Sequence, residues 1–143
     1  MTELPRTRLA ILCRFPGCDQ AAAMVELVPN GGRYADGNTD LLHQIQLTDS
    51  TSSGTIRLSG FLPYTEYSMQ VTDYEATTTA VQNAGADAAS VLHEIDKEYA
   101  PFYCRHCLRP YCGQHWQLKA TFDHGFDYYS GSCPYGHRKF IDH

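Results

Sequence analysis

The residues of this chain best suited to chemistry are its six cysteines and seven histidines. Eight of them form four short pairs, which are Cys13/Cys18, Cys104/Cys107, Cys112/His115 and Cys133/His137. Thiolates and imidazoles are the ligands of tetrahedral zinc, and two ligands on one turn can hold a metal without strain. Because each ion takes four ligands, the four pairs predict two Zn²⁺ per chain.

The spacing leaves open how the four pairs are shared between two ions. Only four residues separate Cys104/Cys107 from Cys112/His115, so these two pairs could form one local site. The first and last pairs would then form the other site. In the alternative, a cross-brace, the first and third pairs hold one ion and the second and fourth pairs hold the other.

The run C-x2-C-x4-C-x2-H over residues 104–115 resembles the core of cross-braced treble-clef zinc fingers of the RING and FYVE type. It is also similar to the zinc fingers of stress-associated proteins. In these families an aromatic residue precedes the third ligand pair, as Tyr111 does here. The resemblance covers residues 102–138 and Cys13–Cys18, and it departs from the families in the 85 residues between Cys18 and Cys104.

The resemblance implies a cross-braced ligand set and a role as a RING-like ligase or adaptor in a ubiquitin-like pathway. Site one would consist of Cys13, Cys18, Cys112 and His115, and site two of Cys104, Cys107, Cys133 and His137. His124 is the substitute if one of these residues is not a ligand.

Other chemistry of the same residue types fits the sequence less well. A thioredoxin-like redox pair at Cys104/Cys107 would need a strand before it and a helix after it, which Pro101 and the nearby third pair oppose. A hydrolytic zinc keeps an open position for water, whereas these pairs fill both coordination spheres. The sequence therefore predicts structural sites and no catalytic residue, and it leans away from an enzyme.

Composition and charge suggest how the chain is organised. Its 143 residues are 43% hydrophobic and 19% charged, which suits about one globular domain. Charge is uneven, with +2 over residues 1–18, −9 over residues 19–102 and +2 over residues 103–143. All the cysteines lie in the two basic ends. We therefore expect the two ends to meet in one zinc-binding unit, with an acidic middle segment inserted between them.

The boundaries expected for these units are 1–20 with 101–143 for the zinc-binding unit, and 21–100 for the insert. Apolar alternation predicts strands over Ala22–Val28, Thr55–Ser59 and Tyr67–Val71, with a further short strand at Ile45–Leu47. Apolar residues at three- and four-residue steps predict one amphipathic helix over residues 73–99, capped by Thr72 with Glu75 and stopped by Pro101. The expected fold class is α+β, a small zinc-stabilised treble-clef or RING-like unit with an inserted antiparallel sheet.

The C-terminal region holds more aromatic side chains than a small core can bury, so some should form a binding surface. We expect that surface to include Trp116, Tyr135, Arg138 and Lys139. The function expected is a structural zinc protein that acts as a protein-interaction module or adaptor. The alternative is a nucleic-acid-binding zinc finger, which the acidic middle segment disfavours.

The sequence also suggests where such a protein works. It has no apolar run as long as the ~20 residues that a membrane span requires. The apolar run at residues 9–12 is too short for a signal-peptide core. Reduced thiols belong in a reducing compartment. We therefore expect a cytoplasmic protein without a membrane partner.

Overall fold

The computed structural model describes residues 6–31, 53–63, 66–123 and 126–141. The fold is mixed α+β, as the sequence predicts, with antiparallel sheets and one helical region. Within the described residues, no helix combines the length and apolarity needed to cross a bilayer.

The first sheet is antiparallel and carries the apolar core. Its strands follow one another in the order β1 Thr7–Leu12, β2 Ala21–Pro29, β3 Gly54–Ser59 and β4 Tyr67–Val71. The register places Val25 opposite Leu58 and Leu27 opposite Ile56, and all four side chains are buried. Side chains directly opposite on one face of a sheet pack against each other, so this face forms the core.

Three of the predicted strands, β2 to β4, are confirmed to within a residue at each end. β1 was not predicted, because its apolar residues form only the short run from Leu9 to Leu12. The strand suggested at Ile45–Leu47 lies outside the described residues.

The other face of the sheet buries an ion pair. Glu26 lies directly opposite Arg57 in the register, and Arg57 Nη2 donates to Glu26 Oε1 at 2.9 Å. The two side chains are only 6% and 10% exposed. A buried charge is tolerated when it is paired and hydrogen-bonded. Each residue also has a second, more exposed partner: Arg6 lies 3.6 Å from Glu26, and Glu66 lies 3.5 Å from Arg57.

The helical region is not the single helix that the periodicity predicts. It consists of α1 Tyr74–Ala84, a 3-10 turn Gly85–Asp87, α2 Ala88–Ile95 and a second 3-10 turn Lys97–Tyr99. Gly85 has a φ of 56°, which takes the backbone out of the right-handed helix. The predicted continuous helix over residues 73–99 is therefore wrong at this point.

The start of α1 also differs from the prediction. Asp73, and not Thr72, is the N-cap, since its side chain accepts a hydrogen bond from the Ala76 N–H at 3.0 Å. Tyr74 then fixes the helix on the sheet, because its hydroxyl donates to the Leu27 carbonyl at 2.8 Å. Gly54 makes room for this ring: a Cβ there would lie 2.5 Å from Tyr74 Cδ2.

The C-terminal part contains two smaller sheets. β5 Tyr103–Cys104 pairs with β6 Arg109–Pro110, and β7 Lys119–Asp123, β8 Phe126–Ser132 and β9 Arg138–Ile141 form an antiparallel sheet in that order. Trp116 links the two sheets, because its indole N–H donates to the Phe102 carbonyl at 2.8 Å and its own carbonyl accepts from the Ser132 N–H at 2.7 Å.

One continuous cluster of buried residues joins these parts. It runs from Ile11 in β1 through α2, at Leu92, to Ile141 in β9. β1 lies in the chain segment assigned to the zinc-binding unit, yet it pairs with β2 of the insert. The division into residues 1–20 with 101–143, and residues 21–100, stays a prediction about which part folds independently.

Candidate metal centres

Two tight turns bring the ligands of site one together. The Cys13 N–H donates to the Gln20 carbonyl and the Cys18 N–H donates to the Phe15 carbonyl, both at 2.9 Å, while Gly17 takes a φ of 83°. These bonds fold the segment after β1 back on itself. Cys13 and Cys18 therefore lie on the same turn.

The second half of site one comes from the turn after β6. The Trp116 N–H donates to the Cys112 carbonyl at 3.0 Å, which closes one helix-like turn and places His115 beside Cys112. His115 Nδ1 lies 3.1 Å from Cys112 Sγ and 3.5 Å from Cys13 Sγ. The Arg14 N–H donates to the Pro110 carbonyl at 2.9 Å, so the backbone holds the two turns together.

The first half of site two is the turn between β5 and β6. The Leu108 N–H donates to the Cys104 carbonyl at 2.8 Å, and Leu108 itself takes a φ of 58°. The Cys107 N–H points at Cys104 Sγ across 3.5 Å. N–H groups aimed at a sulfur stabilise the thiolate form that a metal requires.

The turn between β8 and β9 supplies the rest of site two. The Cys133 N–H donates to the His137 carbonyl at 2.9 Å, and Gly136 takes a φ of 89°. The N–H groups of Tyr135 and His137 each donate to Cys133 Sγ at 3.4 Å. Two backbone N–H groups thus face the Cys133 sulfur.

The structure brings the eight residues together in the cross-braced arrangement that the resemblance implies. The ligand atoms of Cys13, Cys18, Cys112 and His115 lie within 4.8 Å of one another, and so do those of Cys104, Cys107, Cys133 and His137. The local grouping of the second and third pairs is not formed. Both clusters could hold a metal ion. His124, the substitute ligand, lies outside the described residues.

The distances in site two suit a tetrahedral ion. With zinc–sulfur bonds of about 2.3 Å and zinc–nitrogen bonds of about 2.0 Å, sulfur–sulfur edges measure about 3.8 Å and sulfur–nitrogen edges about 3.5 Å. Cys107 Sγ and Cys133 Sγ are 3.8 Å apart. His137 Nδ1 lies 3.2 to 3.6 Å from the three sulfurs of Cys104, Cys107 and Cys133. The donor set therefore fits a small tetrahedral cation.

Individual thiols within the two sites differ in their pKa. Burial raises the pKa of Cys13 and that of Cys104 to about 11. Burial also acts to raise the pKa of Cys133, but the N–H groups of His137 and Tyr135 outweigh it and the pKa is lowered. At neutral pH a metal ion must therefore displace protons from at least Cys13 and Cys104 on binding.

Only some of the four residues expected to form an interaction surface are exposed to solvent. Tyr135 is 55% exposed and Arg138 is exposed, but Trp116 is 1% exposed and cannot contribute. The indole is buried because its N–H finds an acceptor in the core. Lys139 is half-buried, with Nζ 3.0 Å from the Tyr103 carbonyl oxygen and 4.4 Å from the Trp116 ring centroid.

The sequence did not single out the most exposed apolar side chains. Phe140 is 79% exposed, Phe122 78% and Leu108 71%. The exposure of Phe140 could have been predicted from its neighbour Ile141. Successive residues of a strand face opposite sides of the sheet, so only one of the two can enter the core. Leu108 is exposed because it occupies the left-handed position of the Cys104–Cys107 turn.

Comparison with known proteins gives one family. The model of the family described as "Domain of unknown function (DUF8328)" matches residues 6–143. No curated protein and no solved structure matches the chain.

Proposed function

The chain belongs to the DUF8328 family, and we propose that it is a structural zinc protein that serves as an interaction module for another protein. The observation that carries this proposal is the pair of four-residue Cys/His clusters, each with its ligand atoms within 4.8 Å of one another. Four protein ligands complete a tetrahedron and leave no position for a reacting water, so such a site supports structure.

Zinc is the ion that this donor set favours. Three thiolates and one imidazole are soft to borderline ligands, and Zn²⁺ accepts a tetrahedron of them without redox chemistry. Neither cluster of described residues includes an Asp or Glu side chain, whereas Mg²⁺ and Ca²⁺ prefer oxygen ligands. We therefore propose two Zn²⁺ per chain.

The structural role follows from where the clusters lie. Site one ties the turn after β1 to the turn after β6, and site two ties the β5–β6 turn to the β8–β9 turn. Binding of structural zinc releases about 10–16 kcal/mol in small finger peptides. An energy of that size is enough to order β5 and β6, which are only two residues long.

The interaction role is supported by the exposed apolar side chains around the sites. Leu108 and Tyr135 project from the two turns of site two, and Phe140 follows from β9. Large apolar side chains that remain exposed suit contact with a protein partner. The cross-brace supports the narrower proposal of a RING-like treble clef, and a ligase-associated role rests on that likeness alone. Reduced thiols support a cytoplasmic location.

Metal content tests the zinc proposal directly. Elemental analysis of protein purified without added metal should give two zinc ions per chain. His115→Gln should lower this toward one, whereas His93→Gln, at a half-buried histidine outside both clusters, should leave it unchanged. A wild-type protein that carries no zinc, or another metal in its place, would contradict the proposal.

A further inference from the structure

A cavity of about 420 Å³ lies beside site two. One wall is β9, from Arg138 to Ile141. The opposite wall consists of His93, Lys97 and Glu98 at the end of the helical region, and the turn residues Arg105 and His106 close one side. A cavity of this size accepts a few residues of a peptide or a small molecule.

The wall formed by β9 is the edge of a sheet. In the order β7-β8-β9, β9 pairs with β8, and among the described strands it has no partner on its other side. All four of its residues line the cavity. An edge strand carries a row of backbone N–H and C=O groups, which an extended peptide can pair with as an additional strand.

The cavity is positively charged, although the whole chain has a net charge of −5. Lys97, Arg105, Arg138 and Lys139 line it, with Glu98 as the one carboxylate among the lining residues. Zinc with three thiolates and one imidazole would give site two one net negative charge. Four cations against these two negative charges leave a surplus of two positive charges, so a ligand with carboxylates is complementary.

Lys139 shows how a carboxylate would be recognised inside the cavity. An ammonium group has three N–H donors, and the structure gives Lys139 one hydrogen-bond acceptor, the Tyr103 carbonyl at 3.0 Å. The Trp116 ring covers another side of the ammonium at 4.4 Å. The remaining donor capacity lies in the cavity wall, beside the β9 backbone.

We propose that an acidic peptide segment of a partner protein binds in this cavity as an extended strand added to the free edge of β9. This inference rests on the proposed interaction function and names the chemistry of the partner. Backbone pairing along β9 supplies affinity, and Lys97, Arg105 and Arg138 select carboxylate side chains. Phe140, at the mouth of the cavity, supplies an apolar contact.

Two observations favour a peptide over a single-stranded nucleic acid. The positive surface is interrupted by Glu98, which lines the cavity, so a chain with a phosphate at every residue would place one of its charges beside a carboxylate. An edge strand also offers N–H and C=O groups in a spacing that fits a peptide backbone.

Charged residues on an edge strand also have a protective role, because they prevent strands of two molecules from pairing. The two roles differ in what they predict. Protection alone predicts that removing the charges causes self-association, with no affinity for acidic peptides. Peptide binding predicts an affinity that depends on the same charges.

The test is a titration of full-length, zinc-loaded protein against a fluorescent peptide of about six residues with alternating Glu and Val, the length of an average strand. Fluorescence anisotropy gives the Kd. We expect binding that Lys97→Glu or Arg138→Glu weakens about tenfold or more. The matched control is Arg8→Glu, an exposed arginine on β1 at the edge of the first sheet, which should change the Kd less than twofold.

Further arms identify the mode of binding. N-methylation of alternate amides of the peptide should abolish binding, since it removes the donors that pair with β9. Elemental analysis of each variant separates the two proposals: a variant with two zinc ions that binds peptide like the wild type overturns the peptide site and leaves the zinc proposal intact. Arg138 directly follows the ligand His137, whereas Lys97 is seven residues from the nearest ligand, Cys104. Lys97→Glu therefore keeps the test valid if Arg138→Glu perturbs His137.

Three results would overturn the inference. The first is equal weakening by Arg8→Glu, which would show an effect of net charge alone. The second is tighter binding of a labelled oligothymidylate at the same salt concentration, with the same dependence on Lys97 and Arg138. The third is a concentration-dependent dimer that the peptide does not dissociate, which would make the edge of β9 an interface between two copies.

Discussion

The ring of Phe15 lies against the imidazole of His115, with 4.3 Å between the ring centroids and 31° between the planes. The same relationship exists in site two, where the ring of His106 lies 4.7 Å from that of His137 at 28°. Phe15 and His106 each stand two residues after the first cysteine of a ligand pair. Each metal-site imidazole is thus covered by a ring from the turn opposite, which helps to keep its Nδ1 directed at the sulfurs.

We predict that Phe15→Ala weakens zinc binding at site one by about tenfold, because groups that orient a metal ligand typically contribute 10- to 100-fold in affinity. The measurement is the rate and extent of zinc transfer to a colorimetric chelator. The wild type should release its two zinc ions in two phases, and the variant should accelerate the phase that belongs to site one. His106→Ala is the matched variant and should accelerate the other phase. Equal acceleration of both phases by Phe15→Ala would mean that the ring supports the fold as a whole.

The hydroxyl of Tyr111 is buried beside the Cys107 thiol, and it has no hydrogen bond of good geometry to any described residue. An unsatisfied buried hydroxyl costs about 1–3 kcal/mol, so Tyr111→Phe should leave the free energy of unfolding unchanged or raise it by about 1 kcal/mol. Tyr99→Phe is the control, since the Tyr99 hydroxyl donates to the Gln70 carbonyl at 2.8 Å, and it should lower stability by about 1 kcal/mol. Urea unfolding at fixed zinc concentration measures both.

A loss of more than about 1 kcal/mol in Tyr111→Phe would contradict this prediction. It would indicate that the hydroxyl donates to a zinc-bound thiolate in the loaded protein.

The buried pair of Glu26 and Arg57 makes a second stability prediction. Arg57→Met should lower the free energy of unfolding by about 1–3 kcal/mol, because it removes the nearer partner of the buried Glu26 carboxylate and leaves it with Arg6, whose Nε lies 3.6 Å from Glu26 Oε2. The double variant Glu26→Leu with Arg57→Met should recover most of the loss, since a buried ion pair and an apolar pair of similar volume are often of equal stability. A double variant no more stable than Arg57→Met would contradict this, and would show that the ion pair stabilises the fold more than an apolar pair does.

His93 should contribute to the pH dependence of stability. Burial lowers its pKa from the ordinary value of 6.5, and the charges of Lys139, Arg105 and Lys97 lower it further, against an opposite effect of Glu94. As the pH falls below about 6.5, the unfolded chain takes up the proton first. The stability that neutral His93 contributes is therefore complete above pH 6.5 and is lost as the pH falls toward the lower pKa of the folded state.

His93→Gln tests this by difference, because the zinc ligands also titrate in acid. The variant and the wild type should be compared by urea unfolding from pH 7 to pH 5 at saturating zinc. The wild type should lose more stability than the variant over this range. Identical slopes would show that the His93 pKa is the same in the folded and unfolded states.

Local rules account for what the sequence predicted. A ligand pair such as Cys112/His115 is set by a covalent spacing of a few residues, and β3 shows its alternation in five residues. The division of the pairs between two sites could not come from spacing, because it depends on which turns meet in space. The resemblance to cross-braced fingers supplied it, and the contact between Cys13 and His115 agrees with it.

Features that depend on packing escaped prediction. The apolar stripe of the helical region continues across Gly85, so periodicity alone cannot show that the backbone turns there. Trp116 was expected at the surface because aromatic residues outnumber the places in a small core. Its burial depends on the Phe102 carbonyl, which accepts the indole N–H, and on Gly131, where a Cβ would lie 2.8 Å from the Trp116 carbonyl oxygen.

The sequence separation of 102 between Cys13 and His115 also has a consequence for synthesis on the ribosome. Cys13 and Cys18 leave the exit tunnel early. The other two residues of their cluster, Cys112 and His115, are translated only after the first sheet and the helical region. During that interval the two thiols are exposed to oxidants and to metals other than the final one. The time needed to translate the middle of the chain, and the free zinc of the cell during that time, would then influence the yield of native protein.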